Sequence, residues 1–168
     1  MIIINTERLS IRKATLDDSD FIFTLLNQRS FIDNIADKHI RSIDDARNYI
    51  KGAFFDAYEL GEKAPYIVTF KDGTAIGIAG FYQRPVFNVP DIGYAFLDEF
   101  TGQGYAREAI LSLLNFAKDK LKLSSILAIT LPNNQASINL LNAVGLKYQS
   151  KVVLDATLKE SNLYRLDF

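Results

Sequence analysis

The sequence predicts an α+β (mixed α/β) fold: a central mixed, mostly antiparallel sheet of six to seven strands with about four helices on its two faces. Three observations carry this. Segments 66–70, 75–82 and 91–97 have strand character and are joined by stretches too short or too proline-rich for a helix, so neighbours pair antiparallel. A helical stripe (Ala106, Ala109, Ile110, Leu113, Leu114, Ala117, Leu121) runs straight into the apolar stretch I-L-A-I-T-L at 126–131, a strand buried on both sides. Strand, helix and strand in succession imply one parallel crossover.

The elements follow in order. Residues 7–14 alternate, with Leu9 and Ile11 on one face and Arg8, Ser10 and Arg12 on the other, as in a half-buried strand. T-L-D-D from Thr15 has the N-cap residue and the acid three positions on that open a helix, here with core positions Phe21, Ile22, Leu25 and Leu26. Residues 29–41 lose periodicity and read as a loop or short irregular turns. Ser42 caps a second helix whose stripe is Ala46, Tyr49, Ile50, Ala53, Phe54 and Ala57, stopped by Gly61. Lys71-Asp72-Gly73-Thr74 reads as a hairpin turn of type I′, since Asp-Gly tolerates positive φ. Asn133 or Asn134 caps a helix with core positions Ile138, Leu141 and Val144, and Gly145 ends it. Residues 147–154 and 163–168 close the sheet as an antiparallel pair, and an edge strand there could pair two subunits into a homodimer.

The 168 residues amount to a single domain spanning 1–168. A net charge of −1 speaks against nucleic acid as a partner, which needs clustered Lys and Arg. No apolar run approaches the roughly 20 residues of a membrane span. M-I-I-I-N-T-E-R-L has no basic leader, so no signal peptide is expected and a cytoplasmic location is. With no cysteine and one histidine, His39, thiolate chemistry is excluded and a metal site is not expected.

The chain is organised around residues 91–109, D-I-G-Y-A-F-L-D-E-F-T-G-Q-G-Y-A-R-E-A. A strand leads into a loop with Gly102 and Gly104 and then into a helix. The first four N–H groups of a helix lack internal partners and carry partial positive charge. Glycines before them let a phosphate approach the backbone closely. In this order and spacing the chain resembles the GCN5-related N-acetyltransferase (GNAT) family, in particular its ribosomal-protein N-terminal acetyltransferase group. The likeness covers nearly the whole chain. It rests on T-E-R-L-S-I-R at 6–12, D-I-G-Y-A-F at 91–96, G-Q-G-Y-A-R-E-A at 102–109, and N-N-Q-A-S-I-N-L-L-N-A-V-G-L at 133–146. Two departures stand out: Thr101 where the family's phosphate loop has Gln or Arg, and Leu141 where many relatives have a tyrosine acid.

The resemblance implies acetyl-CoA as donor and an amine as acceptor, either a protein N-terminus or a small molecule. The pyrophosphate would rest on Gly102, Gln103, Gly104, Tyr105 and Ala106 with Arg107 nearby, the pantetheine arm along Phe96 and Leu97, and Asn134 against the arm. Transfer of acetyl from a thioester to an amine needs a proton acceptor, an oxyanion donor and a proton for the leaving thiolate. By resemblance these are Asp91, the Leu97 N–H and Ser137, with Tyr148 and Tyr94 as further acids. Asp91, between Pro90 and Ile92, is expected to be partly desolvated with a raised pKa. The acceptor pocket is expected between residues 29–41 and 155–161, where Asp33, Asp37, Glu59 and Asp155 could attract a cation. A non-catalytic acyl-CoA-binding module of the same fold is the alternative. A dinucleotide oxidoreductase is disfavoured because the third glycine position of G-x-G-x-x-G is Arg107.

Overall fold

A computed structural model of the chain describes residues 1–155 and 159–168. Its strands are β1 (Ile2–Asn5), β2 (Leu9–Arg12), β3 (Pro65–Phe70), β4 (Ala75–Tyr82), β5 (Asp91–Phe96), β6 (Ser125–Thr130), β7 (Lys147–Val153) and β8 (Glu160–Asp167). Its helices are α1 (Ser19–Asn27), α2 (Arg29–Asn34), α3 (Ile43–Ile50), α4 (Asp56–Glu59), α5 (Tyr105–Asp119) and α6 (Gln135–Ala143). All eight strands form one sheet in the order β1-β2-β3-β4-β5-β6-β8-β7. Among the described residues only β5 with β6 is parallel.

Two cores flank the sheet. On one face Leu9, Ile11, Tyr66, Val68, Phe81, Ile92 and Phe96 pack with the α5 stripe Ala109, Ile110, Leu113, Leu114 and Ala117. On the other, Ile67 and Ile78 meet Ile22, Leu25 and Leu26 of α1 and Ala46 and Ile50 of α3. Each fully buried Leu or Ile stabilises by roughly 1.5–3 kcal/mol. The alternation of apolar residues in β3 and β4 therefore decides which helices lie above the sheet and which below.

Local chemistry sets the ends of the elements. Ser42 accepts a hydrogen bond from the Asp45 N–H at 3.0 Å and caps α3. The α3 helix runs through a π-helical turn, Lys51–Phe55, into α4. The wider turn brings Tyr58 inward, where its hydroxyl accepts from the Ala14 N–H and donates to the Pro65 carbonyl, both at 2.9 Å. At the end of α6, Gly145 has φ +97°, the Gly145 N–H donates to the Asn142 carbonyl and the Leu146 N–H to the Leu141 carbonyl. This is a Schellman ending, closed by the buried pair Leu141 and Leu146.

Three readings change. The N-terminal isoleucines form β1, an eighth strand, because Thr6 turns the chain tightly: the Thr6 N–H donates to the Leu9 carbonyl at 2.9 Å. Residues 29–41 contain the short helix α2 around the buried Phe31. The 71–74 turn is not type I′, since Asp72 does not have positive φ and Gly73 alone does, at +94°. Its bonds run from the Gly73 N–H to the Phe70 carbonyl and from the Phe70 N–H to the Thr74 carbonyl. That is the three-residue loop whose left-handed glycine makes a bulge.

Candidate active site

The site begins with the orientation of the β5 backbone. The Leu97 N–H, expected at the oxyanion, donates instead to the Ile76 carbonyl at 2.9 Å. The register continues with Ala95 opposite Ile78, Gly93 opposite Gly80 and Asp91 opposite Tyr82. Hydrogen-bonded and non-bonded pairs alternate along an antiparallel ladder, so Ile92, Tyr94 and Phe96 turn their N–H and C=O groups away from β4, toward β6. That edge meets β6 only at its start, where Asp91 lies opposite Leu127 and the Leu127 N–H donates to the Pro90 carbonyl at 3.0 Å. Beyond it no register pair joins the two strands among the described residues. The backbone of Tyr94 and Phe96 therefore lines an open cleft.

At the mouth of the cleft, the Gln28 carboxamide spans the last β5 station. Its Nε2 donates to the Phe96 carbonyl at 3.3 Å and its Oε1 accepts from the Asp98 N–H at 2.8 Å. The chain then makes a short 3-10 turn, Asp98–Phe100, and enters the glycine loop. Gly102 has φ +74° and Gly104 φ +83°, and a β-carbon at Gly102 would meet nothing within 4 Å. Among the described residues, no protein acceptor takes the backbone N–H groups of residues 102–107. They face the dipole end of α5, a 15-residue helix, and together suit a phosphate. Arg107 is exposed. Thr101, a neutral side chain, turns its hydroxyl back to the Asp98 carbonyl at 2.8 Å.

Across the cleft, Asn134 caps α6 by accepting from the Ser137 N–H at 3.3 Å. Burial raises the Tyr94 phenol pKa, and the nearby Ser137 side chain works against that rise. Tyr148 lies apart, half exposed and edge-on to Tyr164 at 5.9 Å. Leu141 is buried in the core.

Asp91 stands where β5 and β6 meet, 3% exposed. Burial raises its pKa, and Arg84 opposes the rise with Nε at 3.0 Å from Oδ1 and Nη2 at 3.5 Å from Oδ2. Beside it opens a hollow of about 430 Å³ lined by Val86, Phe87, Val89, Leu127, Leu163 and Arg165, among others. Leu127 is shared between the hollow and the Asp91 pairing. Part of the expected acceptor pocket, residues 156–158, lies outside the described residues. Of the acids expected there, Asp33 pairs with Arg29 at 2.8 Å and Asp37 with Arg41 at 2.6 Å. Asp37 is held at a pKa of about 2, chiefly by the Arg41 hydrogen bond, so neither is a free attractor of a cation.

Three residues at this site escaped the reading of the sequence. Arg84 is an ordinary loop residue in sequence, and Gln28 follows α1 with no motif around it. Arg8 sits in the quoted T-E-R-L-S-I-R, read there as an outward strand position. Its guanidinium reaches Glu108 at 2.6 Å, the Gln103 carbonyl at 3.1 Å, and lies 4.5 Å over the Tyr105 ring.

Among the described residues no group of three or more His, Cys, Asp or Glu could hold a metal, and no helix is long and apolar enough to cross a membrane. Known proteins resemble the chain over most of its length. The uncharacterized N-acetyltransferase YoaA of Bacillus subtilis (strain 168) is 26% identical over 172 aligned positions, covering 98% of this chain and 96% of that protein. Among solved structures, RimL, the ribosomal L7/L12 α-N-protein acetyltransferase in complex with coenzyme A, superposes with a TM-score of 0.86 at 17% identity, covering 100% and 98% of the two chains. The microcin C7 self-immunity acetyltransferase MccE, in complex with acetyl-CoA and AMP, does so with a TM-score of 0.83 at 18% identity, covering 97% and 94%. The family description "Acetyltransferase (GNAT) domain" matches residues 8–147. The open β5 edge, the amide-lined loop behind it and this match lead to one conclusion: the chain belongs to the GNAT acetyltransferase family and is an acyltransferase.

Proposed function

We propose that the protein is an acetyl-CoA-dependent N-acetyltransferase that passes acetyl directly to an amine, the α-amine of a protein or peptide or that of a small molecule. The observation that carries this reading is the succession of two features along one stretch of chain. The β5 edge at Tyr94 and Phe96, free of β6, is followed after the turn at Asp98–Phe100 by the unbonded N–H groups of residues 102–107. An extended amide-bearing arm can add to such an edge as a strand does, while a phosphate rests on the loop. That RimL binds coenzyme A and MccE acetyl-CoA supports the choice of donor. The cytoplasm is the compartment in which we place this activity.

The donor, when bound, supplies an activated acetyl group. The chain's own residues do the rest. The amides of Gly102, Gln103, Gly104, Tyr105 and Ala106, with Arg107 beside them, hold the pyrophosphate. Asn134 and the β5 edge hold the arm. The cleft-facing N–H of Phe96 or Tyr94 takes the oxyanion role, because Leu97 has spent its own in the sheet. Asp91 accepts the proton of the incoming amine, whose body enters by the hollow at Leu127 and Leu163. Ser137, alone or through Tyr94, returns a proton to the thiolate.

Thermal shift with acetyl-CoA, CoA and NAD in parallel tests the reading. A ligand at about 100 times its Kd stabilises by roughly 2.7 kcal/mol, which for a domain of this size raises Tm by roughly 5–10 °C. A rise with acetyl-CoA and CoA but not NAD, followed by thiol release with an amine panel, is expected. No rise at saturating acetyl-CoA would sink the assignment.

A further inference from the structure

The phosphate loop of this chain has no side-chain cation directly before its glycines, since Thr101 stands there and its hydroxyl bonds back to Asp98. A cation reaches the loop from elsewhere. Arg8, at the turn into β2, is fixed from three sides. Its Nε donates to Glu108 Oε2 at 2.6 Å, its Nη1 to the Gln103 carbonyl at 3.1 Å, and its guanidinium plane lies 4.5 Å from the Tyr105 ring centre. Glu108 is itself held by the Arg8 N–H at 2.9 Å and the Thr6 hydroxyl at 2.6 Å. The remaining nitrogen, Nη2, has no acceptor among the described residues. It points at the loop, 3.3 Å from where a β-carbon on Gly104 would lie. The Arg8 side chain as a whole is 44% exposed, beside the amide-lined loop.

Resting on acetyl-CoA as the donor, we propose that Arg8 is a cofactor-binding residue: its Nη2 hydrogen-bonds the pyrophosphate seated on residues 102–107, supplying the cation that Thr101 does not. The guanidinium is pre-organised, so little side-chain freedom is lost when the anion arrives. A charge-assisted hydrogen bond to phosphate is about twice as strong as a neutral one. Gly104 then has two duties: it adopts φ +83°, and it leaves room for Arg8 beside the ligand.

The competing reading is that Arg8 only buttresses the loop through Glu108, and charge logic separates the two. Both Arg8→Gln and Glu108→Gln break the same clamp, but only the first removes the cation, while the second removes a negative charge near the phosphate. Calorimetric titration of each variant with CoA, and thermal shift with pantetheine, which has no phosphate, make the test. Arg8→Gln should weaken CoA tenfold or more and leave pantetheine unchanged, Glu108→Gln should bind CoA as well as wild type or better, and Arg8→Lys should recover part of the loss. Should Arg8→Gln not fold, Arg8→Met, which keeps the apolar stem and removes the charge, makes the same comparison against Glu108→Gln. The proposal is overturned if Arg8→Gln stays within twofold of wild type, if Glu108→Gln loses as much as Arg8→Gln, or if pantetheine weakens in step. A wild-type protein that does not bind CoA at all overturns the donor itself, and the first titration shows it.

Discussion

Replacing Arg84 by glutamine is the most informative single change, because it strips the counter-charge from a carboxylate that has almost no water. Asp91 is 3% exposed, with two guanidinium nitrogens at 3.0 and 3.5 Å. Unit charges about 4 Å apart attract by roughly 4 kcal/mol at an effective dielectric of about 20. Arg84 is 41% exposed, so solvent screens the pair, and about 1.5–3 kcal/mol is a fair share to lose. At roughly 1.4 kcal/mol per pH unit, the Asp91 titration should move up by about 1–2 units. Since the proposed base acts only as carboxylate, the acid limb of kcat/KM against pH should move up by the same amount, with the plateau reached at higher pH. Stability gives an independent check. A folded pKa above the unfolded one means that the native state binds more protons, so stability falls as pH rises from the unfolded value to the folded one. Burial already raises Asp91, and Arg84→Gln should widen that window upward. The assay is thiol release from acetyl-CoA with any accepted amine, alongside Tm across the same pH series. An acid limb that stays in place while the Tm window widens would refute Asp91 as the base. If neither moves, the electrostatic argument itself fails.

Other outcomes follow from the same geometry. Ser137→Ala should lower kcat by roughly a hundredfold if the hydroxyl protonates the thiolate, with the KM for acetyl-CoA nearly unchanged; steady-state rates decide, and an unchanged kcat moves the role to Tyr94. Gly80→Ala would place a β-carbon 2.3 Å from the Ala64 carbonyl oxygen and 2.6 Å from the Pro65 Cα, which is backbone and cannot yield cheaply. A loss of roughly 3 kcal/mol or more is expected in urea melts, and a near-neutral result would mean that β3 and β4 can separate there. Ser42→Ala removes the acceptor for the Asp45 N–H and should cost about 1 kcal/mol, whereas Ser42→Asp should retain most of it.

Elements whose signal lies within a few neighbouring residues were legible. Ser42, Asn134 and Gly145 cap helices because caps are set by the adjacent turn. The α5 stripe followed from helical period, and the buried strand β6 from an unbroken apolar run. The glycine loop was legible for the same reason, since free N–H groups at a helix start need no distant partner. The Asp-Gly turn misled because its dipeptide is compatible with two loop lengths, and the strand register past it chose the longer one. The N-terminal isoleucines were obscure because a four-residue edge strand shows no period of its own.

By itself the sequence determined most of the order of elements, the faces that must be buried, the glycine loop and the family. Each of these is written in local spacing, and backbone hydrogen bonding and apolar burial follow local spacing directly. Tertiary structure alone decided which β5 amides face the cleft: a one-residue change of parity moves the free N–H from Leu97 to Phe96, and only the pairing with β4 fixes that parity. It likewise decided that Arg8 lies against Gln103 and Glu108, about a hundred residues away, that Gln28 bridges Phe96 and Asp98, and that Arg84 turns back onto Asp91. Such meetings depend on the strand order and on the path of the loops between strands. No local propensity encodes them, and they exist only once the sheet has closed.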